Sequence, residues 1–198
     1  MPESTDLNIR RATPDDAAPL AELMNMAGDG IPAWLWARMA EPGEAPMDFG
    51  ARRVAGNEGG FSYIHAHVAT LDGDIAGMLL GYRLPDPHDT GSLEEVPAPV
   101  RPMLELEAMA PGTWYVNAVA SAPAHRGHGI GTRLMQYAET LARESGAGGL
   151  SLIVARDNDR AVRLYQTLGY RETARRPIVP IPESPHEGDW LLMTKSVD

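Results

Sequence analysis

Cysteine is absent from this 198-residue chain, which excludes disulfides, thiolate metal sites and a cysteine nucleophile. No stretch of 18 or more apolar residues occurs, so no membrane-spanning helix is expected. Positive charge is scarce: 17 Lys and Arg stand against 27 Asp and Glu, a net charge of −10. That balance argues against a nucleic-acid binder, which needs clustered cations to neutralise phosphates. The opening stretch MPESTDLNIRRATPDD is acidic and polar and lacks the charged-then-apolar order of a secretory leader. A cytoplasmic protein is the expectation.

A hydrophobic content of 43% supports a packed core, and the length suits one well-buried domain covering 1–198. The charge is unevenly spread. Residues 1–110 carry 18 acids against 7 Lys and Arg, whereas residues 111–198 carry 9 against 10. An anionic ligand is better suited to the second half and a cationic one to the first.

In order along the chain, Leu7 to Ala12 alternates as a first strand, and Thr13-Pro14-Asp15-Asp16 starts a helix with a capping hydroxyl, proline at the first position and acids in the first turn. Leu20, Leu23, Met24 and Ala27 share its apolar face. A second short helix carries Trp34 and Trp36 before Pro42 and Gly43. Ser62 to Leu71 and Ile75 to Arg83 read as two strands joined by Asp72-Gly73-Asp74. Tyr63, His65 and His67 then fall on one strand face, a polar stripe with no third residue spaced to complete a metal site. Leu84 to Gly112 is a long connection with six prolines and room for one helix over Val100 to Ala110, with Met103, Leu104 and Leu106 as apolar points. Thr113 to Ala120 is a central strand feeding a helix over Gly129 to Glu144, with Ile130, Leu134, Tyr137, Ala138 and Leu141 on its apolar face. Leu150 to Val154 is a strand buried on both sides, locally parallel to the central one. Asn158 caps a helix running to Leu168, and the tail ends in an antiparallel pair around a proline-rich loop.

The most informative stretch is VNAVASAPAHRGHGIGT, Val116 to Thr132. Gly127, Gly129 and Gly131 open a loop into a helix start, where free N–H groups and the positive dipole end favour an anion such as pyrophosphate. His125, Arg126, His128 and Arg133 add side-chain charge. A dinucleotide fingerprint wants glycine where Thr132 stands, and a P-loop wants lysine at Thr132 and Ser or Thr at Arg133. The pattern that fits is R-x-x-G-x-G at Arg126, Gly129 and Gly131.

With Pro123 ahead of that arginine, the loop resembles the acetyl-CoA loop of the GNAT superfamily of N-acetyltransferases. The strand GLSLIV (149–154), Asn158, and AVRLYQTLGY (161–170) follow in the family's order, so the resemblance covers about residues 113–172. It implies a single-domain α/β (α+β) GNAT fold: a mixed, mostly antiparallel sheet of six to seven strands, splayed at the central parallel pair and flanked by helices. It also implies acetyl-CoA as co-substrate, with Arg126, Gly127, His128, Gly129, Ile130, Gly131 and Thr132 on the pyrophosphate and the backbone of Val119, Ala120 and Ser121 along the pantetheine arm. Asn158 would hydrogen-bond the cofactor, and Tyr165 would protonate the departing thiolate. A primary amine of a small molecule or a peptide terminus would be the acceptor. Metal, membrane and nucleic acid play no part in this reading, and a homodimer stays open.

One departure bears on mechanism. Many family members carry a glutamate on a central strand where this chain shows Asn117 and Ile153. Asparagine cannot take a proton, though it could position a water or the amine; Glu105, Glu107, His65, His67 and Tyr115 all stay open as the base, as does proton loss through water. The missing carboxylate keeps one rival, a non-catalytic acyl-CoA sensor of the same fold. A nucleotide-binding module that ignores coenzyme A is a second.

Overall fold

The computed structural model describes residues 7–197. Residues 1–6, which open the stretch read above as unlike a leader, lie outside the described residues. Among the described residues the α-helices are α1 (Ala17–Ala27), α2 (Ile31–Met39), α3 (Pro46–Ala55), α4 (Arg101–Glu107), α5 (Ile130–Glu144) and α6 (Asp159–Thr167). The strands are β1 (Asn8–Arg11), β2 (Ala66–Leu71), β3 (Asp74–Arg83), β4 (Trp114–Ser121), β5 (Gly149–Ala155), β6 (Arg171–Pro177) and β7 (Asp189–Ser196). The strands form one mixed sheet in the order β1-β2-β3-β4-β5-β7-β6. This is the α/β architecture the sequence implied. The chain clusters into two compact units, Met1–Gly81 with Ala118–Tyr137 and Tyr82–Asn117 with Ala138–Asp198.

In the first unit, β1 and β2 pair antiparallel from Asn8↔Thr70 to Arg11↔His67, and β2 and β3 from Ala66↔Leu80 to Leu71↔Asp74. The turn between the latter is the Asp72-Gly73 that the sequence marks. A helix does start after Thr13, as a 3-10 turn over Pro14–Asp16 that leads into α1, but the Thr13 hydroxyl donates instead of accepting: Asp16 accepts from the Thr13 amide at 2.8 Å and from its hydroxyl at 3.0 Å. Arg10 grips the same carboxylate with two nitrogens at 2.8 and 2.9 Å. Leu20, Leu23 and Met24 of α1 are buried with Val68, Met78 and Leu80 of the sheet. Each such side chain contributes about 1.5–3 kcal/mol of burial.

Two readings are corrected here. Ser62 to His65 is not strand: Tyr63–His65 forms a 3-10 turn, with the Ser62 hydroxyl accepting from the Ile64 amide. Tyr63 and His65 therefore share no strand face with His67. His67 is not a solvent-facing stripe either, because its ring is buried, 5.1 Å from that of Tyr137. Burial there pushes its pKa down to about 4. The helix α3 was not anticipated. It exists to close the core over Trp36, and a Cβ on Gly50 would come within 2.4 Å of that indole. Trp36 is thus core, edge-on to Phe61 at 6.0 Å, while Trp34 lies under the Arg38 guanidinium at 3.5 Å.

In the second unit, β5 pairs antiparallel with β7 from Gly149↔Ser196 to Ala155↔Trp190, and β7 pairs with β6. β5 is almost wholly buried and apolar apart from Ser151, whose hydroxyl lies 2.7 Å from that of Thr113, as suits a strand covered on both faces. The register of the parallel pair β4 and β5 runs Trp114↔Leu150, Tyr115↔Ser151, Val116↔Leu152 and includes neither Asn117 nor Ile153. The long connection does contain α4, whose Leu106 is fully buried.

Candidate active site

In the first unit, β4 ends at Ser121, and the Ala122 amide donates to the Ala76 carbonyl at 2.8 Å. That bond anchors the strand end against β3. Gly77 makes the approach possible: a Cβ there would sit 2.7 Å from the Ala120 carbonyl oxygen, 2.8 Å from Ile130 Cγ2 and 3.2 Å from Leu134 Cδ1. Absence of a side chain on β3 therefore sets how the last turn of β4 and the first turn of α5 lie. Val119 and Ser121 are half-buried and Ala120 is buried.

Pro123–His125 forms a 3-10 turn, Arg126 is extended, and the chain then passes through left-handed conformations at Gly127 (φ 84°) and Gly129 (φ 73°). Any other residue at those dihedrals costs about 1–2 kcal/mol. The Gly129 carbonyl accepts the Arg133 amide at 3.0 Å, so α5 starts there. Helix geometry leaves the first-turn amides, those of Ile130, Gly131 and Thr132 among them, without intrahelical acceptors. Residues 126–129 are exposed, and an added Cβ on Gly127 or Gly129 would meet nothing within 4 Å. Open space over bare backbone at a helix start fits a diphosphate. His128 folds back on the loop, its Nδ1 3.1 Å from the carbonyl oxygens of both His125 and Arg126. Two acceptors fix that nitrogen as the protonated one. Arg126 Nη2 lies 3.3 Å from Met26 Sδ.

In the second unit, Asn158 caps α6 by accepting the Ala161 amide at 3.2 Å. The cap uses its side-chain oxygen and leaves the amide nitrogen to serve other acceptors. Tyr165, on α6, is buried with its ring 5.9 Å from that of Tyr170. Burial pushes its hydroxyl up to about 12, so it holds its proton at any working pH and can act as a donor but not a base.

Asn117 is joined by residues of which the sequence singled out only some. Its Nδ2 donates to the Tyr82 hydroxyl at 3.1 Å. The Tyr82 ring stands edge-on to Tyr115 at 5.9 Å, and the Tyr115 hydroxyl donates to Glu107. The Glu107 carboxyl is buried at the end of α4, with His88 Nε2 3.6 Å from its Oε2. Desolvation raises its pKa to about 7, against the lowering effect of the Tyr115 bond. Burial first, then the nearby Glu107 charge, also pushes Tyr82 up to about 12, and Tyr115 is held well above the ordinary tyrosine range. Tyr82 and His88 carry no sequence signal. Their placement depends on how the 84–112 connection folds back, which local pattern does not encode.

The other open bases separate by environment. Glu105 is held by Arg176 at 2.6 Å. His65 lies in the 3-10 turn and is shifted down by burial. Among the described residues no group of three or more His, Cys, Asp or Glu is arranged to hold a metal ion, and no helix is long and apolar enough to cross a membrane.

Comparison with known proteins points to one family. Residues 31–170 match the model of the Acetyltransferase (GNAT) family. The chain is similar to N-alpha-acetyltransferase 40 of Saccharomyces cerevisiae, 34% identical over 131 residues, 60% of this chain and 40% of the relative. It is also similar to streptothricin acetyltransferase of Streptomyces lavendulae, 44% identical over 55 residues, 28% of this chain and 29% of the relative. The matches thus span less than half the length of these curated relatives. Among solved structures, a Salmonella typhimurium protein with its cofactor acetyl-CoA shares the fold, with a TM-score of 0.58, 20% identity, and coverage of 98% of this chain and 95% of that one.

Proposed function

Because the chain belongs to the GNAT acetyltransferase family, we propose that it moves acetyl from acetyl-CoA directly to a primary amine of a small molecule or a peptide terminus, and that residues 1–198 act as one N-acetyltransferase domain in the cytoplasm. The observation that carries this reading is the exposed loop from Arg126 to Gly129, with left-handed Gly127 and Gly129 opening onto the start of α5. The cysteine-free composition is in keeping with the location.

Four tasks fall to the chain. Amides from Gly127 to Thr132, with Arg126 and His128, hold the diphosphate. The backbone of Val119, Ala120 and Ser121 lines the pantetheine arm. Asn158 donates its side-chain amide to the same co-substrate. Tyr165 donates a hydrogen bond toward the sulfur. With its hydroxyl near 12 and a thiol ordinarily near about 8.5, complete transfer of the Tyr165 proton is uphill, so this residue stabilises the leaving group mainly by hydrogen bonding and the thiol proton comes chiefly from solvent. Acetyl-CoA supplies the activated thioester. Asn117 stands where many family members have a carboxylate, and in this reading it orients the amine.

Both acceptor classes have a relative behind them, one whose name specifies an N-alpha-acetyltransferase and one named for streptothricin. The acidic residues 1–110 favour a cationic acceptor in either case. The strand positions Asn117 and Ile153, with no carboxylate at either, are the feature that favours the second reading, a non-catalytic acyl-CoA sensor. Incubation of the protein with acetyl-CoA and a panel of small-molecule and peptide amines, followed by thiol release, separates the two. Amine-dependent release supports the enzyme. Tight coenzyme A binding with no release from any amine supports the sensor.

A further inference from the structure

The geometry points to Glu107 as the proton acceptor for the amine, the role for which neither central strand supplies a carboxylate. This inference rests on the acetyltransferase reading and extends it to the residue that takes the proton.

Three observations meet at this side chain. First, Glu107 ends α4 inside the long connection, and its carboxyl is buried rather than paired with a lysine or arginine; its near neighbours are the His88 ring at 3.6 Å and the Tyr115 hydroxyl. Glu105, two residues away, is by contrast spent on Arg176. Second, the group lies in a compact set of neighbouring side chains: the Tyr115 hydroxyl donates to Glu107, the Tyr115 ring stands edge-on to that of Tyr82, and the Tyr82 hydroxyl accepts from Asn117. Third, the cluster ends at a defined place on β4. Asn117 is the first residue beyond the parallel register with β5, and in the chain it directly precedes Ala118 and the Val119–Ser121 backbone assigned to the pantetheine arm. A proton released by an amine held at Asn117 has Glu107 as the acceptor within that cluster.

The step balances as follows. The amine nitrogen forms a bond to the acetyl carbonyl carbon, and the nitrogen proton passes to the Glu107 carboxylate. The carbon–sulfur bond breaks, and the thiolate takes a proton from solvent, assisted by Tyr165. Glu107 returns its proton to solvent before the next turnover. A carboxyl shifted by burial to about 7 suits this work, because a base with a pKa near the operating pH is both available and strong enough.

The groups that set this ionisation are few. His88 faces Glu107 from the connection, Tyr82 from β3 and Tyr115 from β4. Glu105 on the same helix is neutralised by Arg176 of β6. β5 carries no ionisable side chain. On β7, Asp189 pairs with Arg156 and Arg175, and Lys195 pairs with Glu139.

Two measurements on the full chain test the assignment. The first is the pH dependence of kcat/KM with acetyl-CoA and aminoacetonitrile, a primary amine weak enough to stay neutral across the range scanned, alongside the amine panel. The base must be ionised, so the wild-type rate should rise with pH through about 7. Glu107→Gln should lower it about 100-fold or more and erase the rise while coenzyme A binding by calorimetry stays unchanged. An unaltered profile in Glu107→Gln overturns the assignment. The second needs neither turnover nor a variant: carboxyl-carbon NMR of the glutamate-labelled wild-type protein should show Glu107 titrating near neutrality. A midpoint in the ordinary carboxylate range overturns the assignment even if amines are acetylated. A wild-type protein that acetylates no amine refutes the enzyme reading and this inference together, whereas turnover that Glu107→Gln leaves intact refutes this inference alone.

Discussion

Gly77→Ala adds one methyl group at the point where β3, the end of β4 and the start of α5 meet. The new carbon would lie 2.7 Å from the Ala120 oxygen and 2.8 Å from Ile130 Cγ2, where ordinary contacts are about 3.3–4 Å. Neighbours must retreat by roughly 0.6–1 Å, and the first of them is backbone, which cannot rotate away as a side-chain tip can. Overpacking of this kind costs about 1–3 kcal/mol. The loss of chain entropy in the unfolded state offsets about 0.4–1 kcal/mol of it. A net loss of about 1–2 kcal/mol corresponds to a Tm lower by roughly 2–8 °C for a chain of this size. The displaced residues bracket the glycine loop, so coenzyme A affinity should also fall, by about tenfold. Thermal unfolding with and without coenzyme A, together with calorimetric titration, reads both effects. A variant that melts with the wild type and binds coenzyme A equally well would refute the claim that this close approach sets the loop.

Other outcomes follow from the same structure. Gly129→Glu places a carboxylate and a disfavoured backbone conformation in the loop and should abolish coenzyme A binding by calorimetry while the fold persists by circular dichroism. Tyr165→Phe should lower kcat by about 10- to 100-fold with little change in coenzyme A affinity, and an unchanged kcat removes Tyr165 from the reaction. The Arg10 hydrogen bonds first, then those from Thr13, hold Asp16 at about 2 against an ordinary 3.8. A depressed carboxylate contributes stability that is complete above about pH 4 and is lost as pH falls through 2. Asp16→Asn should therefore cost about 1–2 kcal/mol at pH 7, allowing for the solvent-screened side of Arg10, and the gap to the wild type in denaturant titrations should close between pH 4 and pH 2.

The parts legible in the sequence are those set by local rules. Thr13 and Asp16, the Asp72-Gly73 turn, the Arg126–Gly131 loop and the Asn158 cap each combine a residue type with a fixed short spacing, and each forms where that spacing places it. β5 was legible because a short run so nearly apolar, with Ser151 its one polar side chain, has no polar face to present. Most of what escaped depends on distant partners. α3 has Gly50 in its middle, a helix-weakening residue whose reason is the Trp36 ring pressed against it. Tyr63 and His65 alternate as strand residues would, yet the Ser62 hydroxyl turns that backbone into a 3-10 turn. Glu107 was one acid among several by sequence. Only its burial beside Tyr115 and His88 separates it from Glu105, which meets Arg176 across a separation of 71 residues.

The central claim is that backbone amides at the start of α5 hold the diphosphate of coenzyme A. Amide NMR spectra of the labelled protein recorded through a coenzyme A titration test it most directly. The account predicts that the largest shifts fall on Gly127 to Thr132, with smaller ones along Val119 to Ser121. Saturable shifts centred elsewhere, or none at any concentration, would contradict it.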